Sequence, residues 1–436
     1  MYLQKQFLLT VFLLAGICFV LPAQNIILKQ THELTGIYKK GERIRVTLFL
    51  KDRIPDAVDI KIWKNFYKQV IWEKIRFLSD TLVIFNGTLT SPGSIIFEAS
   101  TNTESVSIGS LVDPYKLKPG TKIPKDFDAY WQREKKKLRD LPMTLKKVPV
   151  SEIEKGYVCY NTEINCTGPK PARGYFAKPL SAKPKSLPIV LYLHSAGKMA
   201  DFWVLAKPEN AMRYAKMGDG TLSFDLNAHG VLNGQPVAYY DSLENSVLGN
   251  YNYTNIGLDS RTDFYFRGMY LRLIRALDFL TSQPEWDGKR ILVIGESQGG
   301  GQALAAAGLD HRVSAVVAIV PAMCDWNATL VSRKGGWPDP FANKNYSQKS
   351  LLNVLPYFDN AHILKGCRAK LVVEIGLIDL TCPSSAVFSA LNQAKGKKII
   401  YTVPYRAHHM LHPAYTEIWN KTINNPTNAF IQDYLK

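Results

Sequence analysis

Short apolar runs alternate with helix-like segments from residue 125 to the end of the chain, and this alternation restricts the fold more than any other feature. The runs lie at 189–193, 222–225, 291–294, 315–320, 371–375 and 399–403. They have the length and composition of buried strands. Met269, Leu273, Leu277 and Leu280 form an apolar stripe on one intervening helix. Strands that alternate with helices build a mostly parallel, doubly wound sheet, so the sequence predicts the α/β class.

The sequence Gly-Glu-Ser-Gln-Gly at residues 295–299 lies between one such run and a helix-like segment of small residues at 302–308. Gly-x-Ser-x-Gly at a strand-to-helix junction is the nucleophile elbow. The glycines permit a strained turn that exposes the hydroxyl of Ser297, and the helix N-terminus favours developing negative charge. We therefore predict that Ser297 is a nucleophile; a structural turn is the alternative.

A serine hydroxyl needs a base to accept its proton and a third group to orient that base. In the α/β-hydrolase order both follow the serine, on loops after later strands. Asp379 follows the 371–375 run, although an aspartate there can also cap a loop. His408 and His409 follow the last run. We predict His408 as the base, with His409 in reserve and His412 third.

An oxyanion hole needs two backbone amides aimed at one carbonyl oxygen. The N–H of Gln298, directly after the nucleophile, is the first candidate. The second should come from the loop after an early strand, where Leu-His-Ser-Ala-Gly at 193–197 offers the N–H of Ser195.

Residues 1–24 have the pattern of a secretory signal peptide: Lys5, an apolar stretch at 7–20 and a small-residue exit at 21–24. No other run is long and apolar enough to cross a bilayer. We expect cleavage near residues 23–24 and a secreted or periplasmic enzyme without membrane insertion.

Residues 25–111 alternate with the period of strands, at 43–50, 58–63, 82–85 and 94–97. Short strands at this spacing predict a small, immunoglobulin-like β-sandwich. Aromatic side chains in it are core residues or a glycan platform: Trp63, Phe66, Tyr67 and Trp72.

The proline-punctuated segment 112–124 predicts a linker to an esterase unit at 125–436. It has the composition of a tether, which favours a spacer or oligomer-capping role for the sandwich over glycan binding.

The formal net charge of +17 at pH 7 accompanies no nucleic-acid motif, so we interpret it as surface charge. After the leader, five cysteines remain without metal-ligand spacing or a disulfide framework: Cys159, Cys166, Cys324, Cys367 and Cys382. They are expected to be packing residues, and no metal or cofactor is expected.

From residue 126 onward the chain resembles the acetyl xylan esterase and cephalosporin C deacetylase family of carbohydrate esterases. The resemblance rests on Ile-Pro-Lys-Asp-Phe-Asp-Ala-Tyr-Trp at 123–131, Gly-Glu-Ser-Gln-Gly-Gly at 295–300 and Gly-Leu-Ile-Asp-Leu-Thr-Cys-Pro-Ser-Ser at 376–385. It implies an α/β-hydrolase that deacetylates xylo-oligosaccharides and small acetyl esters, needs no cofactor and often assembles as hexamers. The implied site residues are Ser297, Asp379 and His408 as the triad, with the amides of Ser195 and Gln298.

Three positions depart from that family's pattern. Asn-Ala-His-Gly at 227–230 stands where the family has Arg-Gly-Gln, His409 replaces a glutamate, and Ser195 replaces a tyrosine. The first two lie near the expected pocket, so they bear on the substrate rather than on the chemistry.

Two insertions, 231–261 and 324–357, are expected to roof the site. Their aromatic residues suit either stacking on sugar rings or anchoring of the loops: Tyr239, Tyr240, Tyr251, Tyr253, Trp326, Trp337, Phe341 and Tyr346.

The sequence thus predicts a secreted serine esterase that removes acetyl groups from polysaccharide or oligosaccharide. One alternative is a serine peptidase of the prolyl-oligopeptidase kind, for whose propeller the segment 25–111 is too short. A second is a catalytically dead glycan-binding protein.

Overall fold

The computed structural model describes residues 26–51, 57–66, 68–76, 79–151, 153–201, 204–411 and 415–436. The predicted leader, Tyr67 and His412 lie outside them. Within these ranges no helix combines the length and apolar character needed to cross a membrane.

The N-terminal part of the chain folds into two sheets that share one apolar core. The strands are β1 (Ile26–Gln30), β2 (Ile37–Tyr38), β3 (Arg43–Leu50), β4 (Val58–Lys64), β5 (Lys68–Ile75), β6 (Thr81–Thr88), β7 (Gly93–Ser100) and β8 (Ser105–Val112). One sheet has the order β1-β3-β6 and the other β2-β8-β7-β4-β5. Alternate residues such as Val46 and Leu48 of β3 meet Ile60 and Phe97 of the facing sheet. The predicted β-rich N-terminal unit is confirmed.

The remaining strands form one nine-stranded sheet, in the order β17-β16-β15-β14-β12-β13-β11-β10-β9. They are β9 (Leu145–Pro149), β10 (Tyr157–Ile164), β11 (Ala172–Pro179), β12 (Leu187–Leu193), β13 (Leu222–Leu226), β14 (Trp286–Glu296), β15 (Ala315–Ile319), β16 (Lys370–Gly376) and β17 (Lys398–Val403). Neighbours from β17 to β13 are parallel, whereas β13-β11-β10-β9 are antiparallel. The α/β, mostly parallel fold is confirmed.

Sequence reasoning did not place β9, β10 and β11 at the edge of this sheet. β9 is exposed along its whole length, and β10 carries polar residues such as Asn161 and Thr162. Strands such as β9 and β10, which are partly exposed to solvent, lack the continuous apolar run that marks a buried parallel strand.

Helices cover both faces of the sheet, as a doubly wound fold requires. Ile189, Leu191 and Leu193 of β12 enter one core and Val190 enters the other, since side chains alternate along a strand. The helices are α1 (Phe127–Asp140), α2 (Pro208–Ala215), α3 (Val237–Glu244), α4 (Tyr265–Thr281), α5 (Gln298–Leu309), α6 (Gln348–Val354), α7 (Asn360–Ile363), α8 (Ser384–Leu391), α9 (Thr416–Trp419) and α10 (Asn425–Leu435).

The segment 112–124 packs against the α/β unit. Leu117 is buried in its main core, and the side-chain amide of Asn392 donates to the carbonyl oxygens of Pro114 and Leu117. The division into domains at residues 111 and 125 stays a prediction. The segment 112–124 itself is packed against the α/β unit through these contacts.

The five described cysteines are free thiols, and Cys166 alone among them is more than slightly exposed. Burial raises the pKa of the Cys159 thiol to about 12. A protonated, buried thiol behaves as a small apolar side chain, in agreement with a packing role.

Two buried histidines should make the stability of the fold depend on pH. Burial, with Arg272 nearby, lowers the pKa of His229 from 6.5 to about 3, and burial lowers that of His362 to about 4. Because the unfolded chain binds these protons more readily, the stabilisation is present above pH 6.5 and is lost as the pH falls towards 4 and 3.

Each histidine should contribute about 1.4 kcal/mol per pH unit to the slope of the unfolding free energy in that window. We expect His229→Gln and His362→Gln each to flatten this slope in urea titrations between pH 4.5 and 7. His311→Gln, at an exposed position, is the matched control. Equal slopes in all variants would contradict the prediction.

Candidate active site

The candidate site lies where parallel strands end, at the carboxyl edge of the sheet. β14 continues into α5 through Ser297, whose backbone has φ 53° and ψ −117°. A Cβ on Gly295 would lie 2.3 Å from the backbone of Gly299, and one on Gly299 would lie 2.3 Å from the carbonyl oxygen of Leu193. Both glycines are therefore needed for this tight, strained turn.

Three predicted residues meet at this edge through a chain of hydrogen bonds. Ser297 Oγ lies 2.8 Å from His408 Nε2, and His408 Nδ1 lies 2.8 Å from Asp379 Oδ2. The other carboxylate oxygen of Asp379 accepts the N–H groups of Thr381 and Cys382, each at 2.8 Å. All three catalytic candidates are buried. Their order is that of a serine nucleophile, an imidazole base and an orienting carboxylate.

His409, the reserve candidate, occupies a different place. Its ring is exposed and lies edge-on to His408, with ring centroids 4.4 Å apart. Burial, followed by the neighbouring His408, lowers the pKa of His409. The geometry thus brings His408, rather than His409, to the serine.

An ion pair that sequence reasoning missed holds the histidine loop. Arg406 Nη1 lies 2.5 Å from Glu374 Oε1 in β16, and the same oxygen accepts the indole N–H of Trp419 at 2.8 Å. Arg406 Nη2 also lies 3.7 Å from Glu296, next to the serine. Burial raises the pKa of Glu374, while Arg406 opposes that shift. A lone acid within the apolar run 371–375 was the available signal.

Both predicted oxyanion residues lie beside the elbow. The hydroxyl of Ser195 donates to the carbonyl oxygen of Glu296 at 3.1 Å, and the preceding His194 is hydrogen-bonded to the buried Asp225. Gln298 is the first residue of α5, where an N–H group has no acceptor within the helix. Its side-chain oxygen accepts the Tyr253 hydroxyl at 2.6 Å.

Residues 227–230, which depart from the family's Arg-Gly-Gln, contact the tyrosine that is hydrogen-bonded to Gln298. His229 is buried, its Nδ1 lies 2.8 Å from the Tyr265 hydroxyl, and its ring contacts Tyr253 at 4.7 Å. His229 therefore supports the tyrosine that orients Gln298, instead of facing solvent.

Three of the eight predicted roofing aromatics are buried and anchor their loops. Tyr240, Tyr253 and Trp326 are buried, whereas Tyr251 is 42% exposed. The Tyr251 ring lies 6.1 Å from that of Trp337, whose backbone N–H donates to the carbonyl oxygen of Thr381 in the aspartate loop. Tyr251 and Trp337 thus form a ring pair that is connected to the aspartate loop through Trp337.

Asp379, Cys382 and His408 also have potential metal ligand atoms within 4.8 Å of one another. Burial raises the pKa of the Cys382 thiol well above its usual value. A metal would need the thiolate and would displace the hydrogen bond between Asp379 and His408. The donor set therefore suits a hydrogen-bonded triad better than a metal ion.

The fold and the site together define an α/β-hydrolase. The family model described as acetyl xylan esterase (AXE1) matches residues 110–422. The chain belongs to this acetyl xylan esterase family, as its motifs predicted.

Named relatives agree with that membership. The acetyl esterase Axe7A of Xylanibacter ruminicola is 29% identical over 382 residues, which cover 85% of this chain and 84% of the relative. The acetyl xylan esterase from Paenibacillus sp. R4 has a TM-score of 0.57 at 26% identity, over 72% of this chain and 98% of its own. Acetyl xylan esterase 1 from Thermoanaerobacterium sp. JW/SL YS485 shares the fold, with a TM-score of 0.58 at 20% identity over 74% of this chain and 98% of its own.

Proposed function

We propose that this protein is an exported serine esterase that removes acetyl groups from xylan-type polysaccharide or its oligosaccharides through an acyl-enzyme. The carrying observation is the hydrogen-bonded chain Ser297–His408–Asp379 in a member of the acetyl xylan esterase family. The names of the similar proteins supply the substrate class.

In the first half-reaction, Ser297 Oγ attacks the acetyl carbonyl carbon while His408 Nε2 accepts its proton. Asp379 orients the imidazole and stabilises its charged form. The negative charge on the carbonyl oxygen is stabilised by the amides of Ser195 and Gln298. Collapse breaks the bond from carbon to the sugar oxygen, which takes the proton from His408.

In the second half-reaction, water attacks the acetyl-enzyme. His408 accepts a proton from the water and returns it to Ser297 Oγ, so that acetate leaves and the serine is restored. Each group needed for both steps is supplied by the side chains and amides named above.

The exposed Tyr251 and the adjacent Trp337 supply a surface for the sugar ring. Aromatic rings beside a cleft bury the apolar face of a ligand ring at low conformational cost. Export follows from the leader-like residues 1–24, and N-terminal sequencing of the protein from periplasm or medium tests it.

The described part of the N-terminal region argues against the peptidase alternative. Residues 26–112 form sheets of three and five strands, whereas a propeller consists of four or more four-stranded blades.

A substrate panel tests the proposal. Purified protein should release acetate from p-nitrophenyl acetate and acetylated xylan and leave a proline-containing peptide amide intact. The Ser297→Ala protein, purified identically, controls for contaminating esterases. Release of amine from the peptide would support the peptidase, and binding of xylan without acetate release would support a dead glycan-binding protein.

A further inference from the structure

We propose that the N-terminal sandwich is a positioning element of the active site, because β8 contacts the loops that carry Asp379 and His408. The inference rests on the proposed function, since it assigns those two residues to the chemistry. It replaces the spacer role that the composition of segment 112–124 favoured.

The first contact is with the aspartate loop. The Cα of Gly109, in β8, lies so close to Leu377 that a Cβ would be 2.4 Å from the carbonyl oxygen of Leu377 and 2.6 Å from its Cβ. Gly36, at φ 62°, approaches the side chain of the same leucine. Leu377 is buried and precedes Asp379 by two residues. The sandwich backbone therefore sets where this loop can lie.

The second contact is with the histidine loop. The N–H of Gly109 donates to the carbonyl oxygen of Pro404 at 2.8 Å, and the hydroxyl of Thr402 donates to the carbonyl oxygen of Thr35 at 2.8 Å. Pro404 directly follows β17 and precedes His408 by four residues. One glycine thus contacts both catalytic loops.

The sandwich side of this junction is held by buried polar groups. The side-chain amide of Gln30 donates to the carbonyl oxygen of Gly109 at 2.9 Å. Its oxygen accepts the hydroxyls of Tyr38 and Ser110, and all three side chains are buried. A satisfied, buried network of this kind is stiff, so β8 offers a fixed reference for the loops.

Displacement of the loops should affect chemistry more than binding. Leu377 itself connects the aspartate loop to the end of β17, from which the histidine loop begins. Its N–H donates to the carbonyl oxygen of Val403 at 2.9 Å. A Cβ at position 109 forces a shift of the Leu377 carbonyl, and a shift of about 1 Å near catalytic groups costs up to about 100-fold in rate. Tyr251, which we propose to contact the sugar, is on another segment.

The test compares Gly109→Ala with Gly41→Ala in the full chain. Gly41 is a sandwich glycine at φ 79°, and a Cβ added there would have nothing within 4 Å, so its replacement strains the sandwich without pressing on the loops. We expect Gly109→Ala to lower kcat for p-nitrophenyl acetate by at least about tenfold, with KM within about twofold. Gly41→Ala should keep the wild-type kcat.

Rates are expressed per folded active site, with the folded fraction of each variant taken from its urea unfolding curve, so that a partly unfolded preparation does not imitate the effect. An unchanged kcat per site in Gly109→Ala, or an equal loss in Gly41→Ala, would overturn the inference. If Gly109→Ala does not fold, Thr402→Val removes the second contact and should lower kcat per site by about threefold; an unchanged value would also overturn it. An inactive wild-type protein would instead refute the proposed function.

Discussion

Ser297→Ala is expected to lower kcat for an acetyl ester by about 10⁴-fold or more. We propose that the hydroxyl is the attacking group, because Ser297 Oγ lies 2.8 Å from His408 Nε2. Alanine accepts the backbone angles of this strained turn no worse than serine does, so the fold should persist. Steady-state kinetics with p-nitrophenyl acetate and thermal unfolding measure the two effects.

The matched control is Ser282→Ala, at the end of α4 and the opposite edge of the sheet, which should keep the wild-type rate. Retention of a tenth of the wild-type kcat by Ser297→Ala would remove Ser297 as the nucleophile.

His408→Ala should lower kcat by a comparable amount, about 10⁴-fold or more, whereas His409→Ala should stay within about threefold of wild type. The reason is geometric: His408 bridges Ser297 and Asp379 at 2.8 Å on each side, and His409 is an exposed neighbour. The two variants change the same residue type at adjacent positions, so each controls for the other. A dead His409→Ala beside an active His408→Ala would reverse the assignment.

The fold class could be predicted because its signals are local. Alternating apolar runs specify strands, and the motif around Ser297 specifies a turn between a strand and a helix, whatever lies elsewhere in the chain. The order of Asp379 and His408 after the serine follows from the same topology. The antiparallel strands β9 and β10 were missed because they lack a continuous apolar run.

The site could be predicted only to the level of candidate residues. Which of two adjacent histidines approaches the serine depends on a turn after β17, and Arg406 of that turn is paired with Glu374 of β16. The burial of Tyr253 and Trp326, against the exposure of Tyr251, likewise depends on packing between distant segments.

By itself, the sequence determined the α/β class, the β-rich N-terminal unit, the family and the elbow serine, because each depends on residue types and spacings within one short stretch. Only the tertiary structure placed His408 Nε2 2.8 Å from Ser297 Oγ, revealed the Arg406–Glu374 pair and brought Gly109 of β8 against Leu377 and Pro404. These features depend on contacts between residues far apart in the chain, and the distances of such contacts are set by packing of the whole molecule.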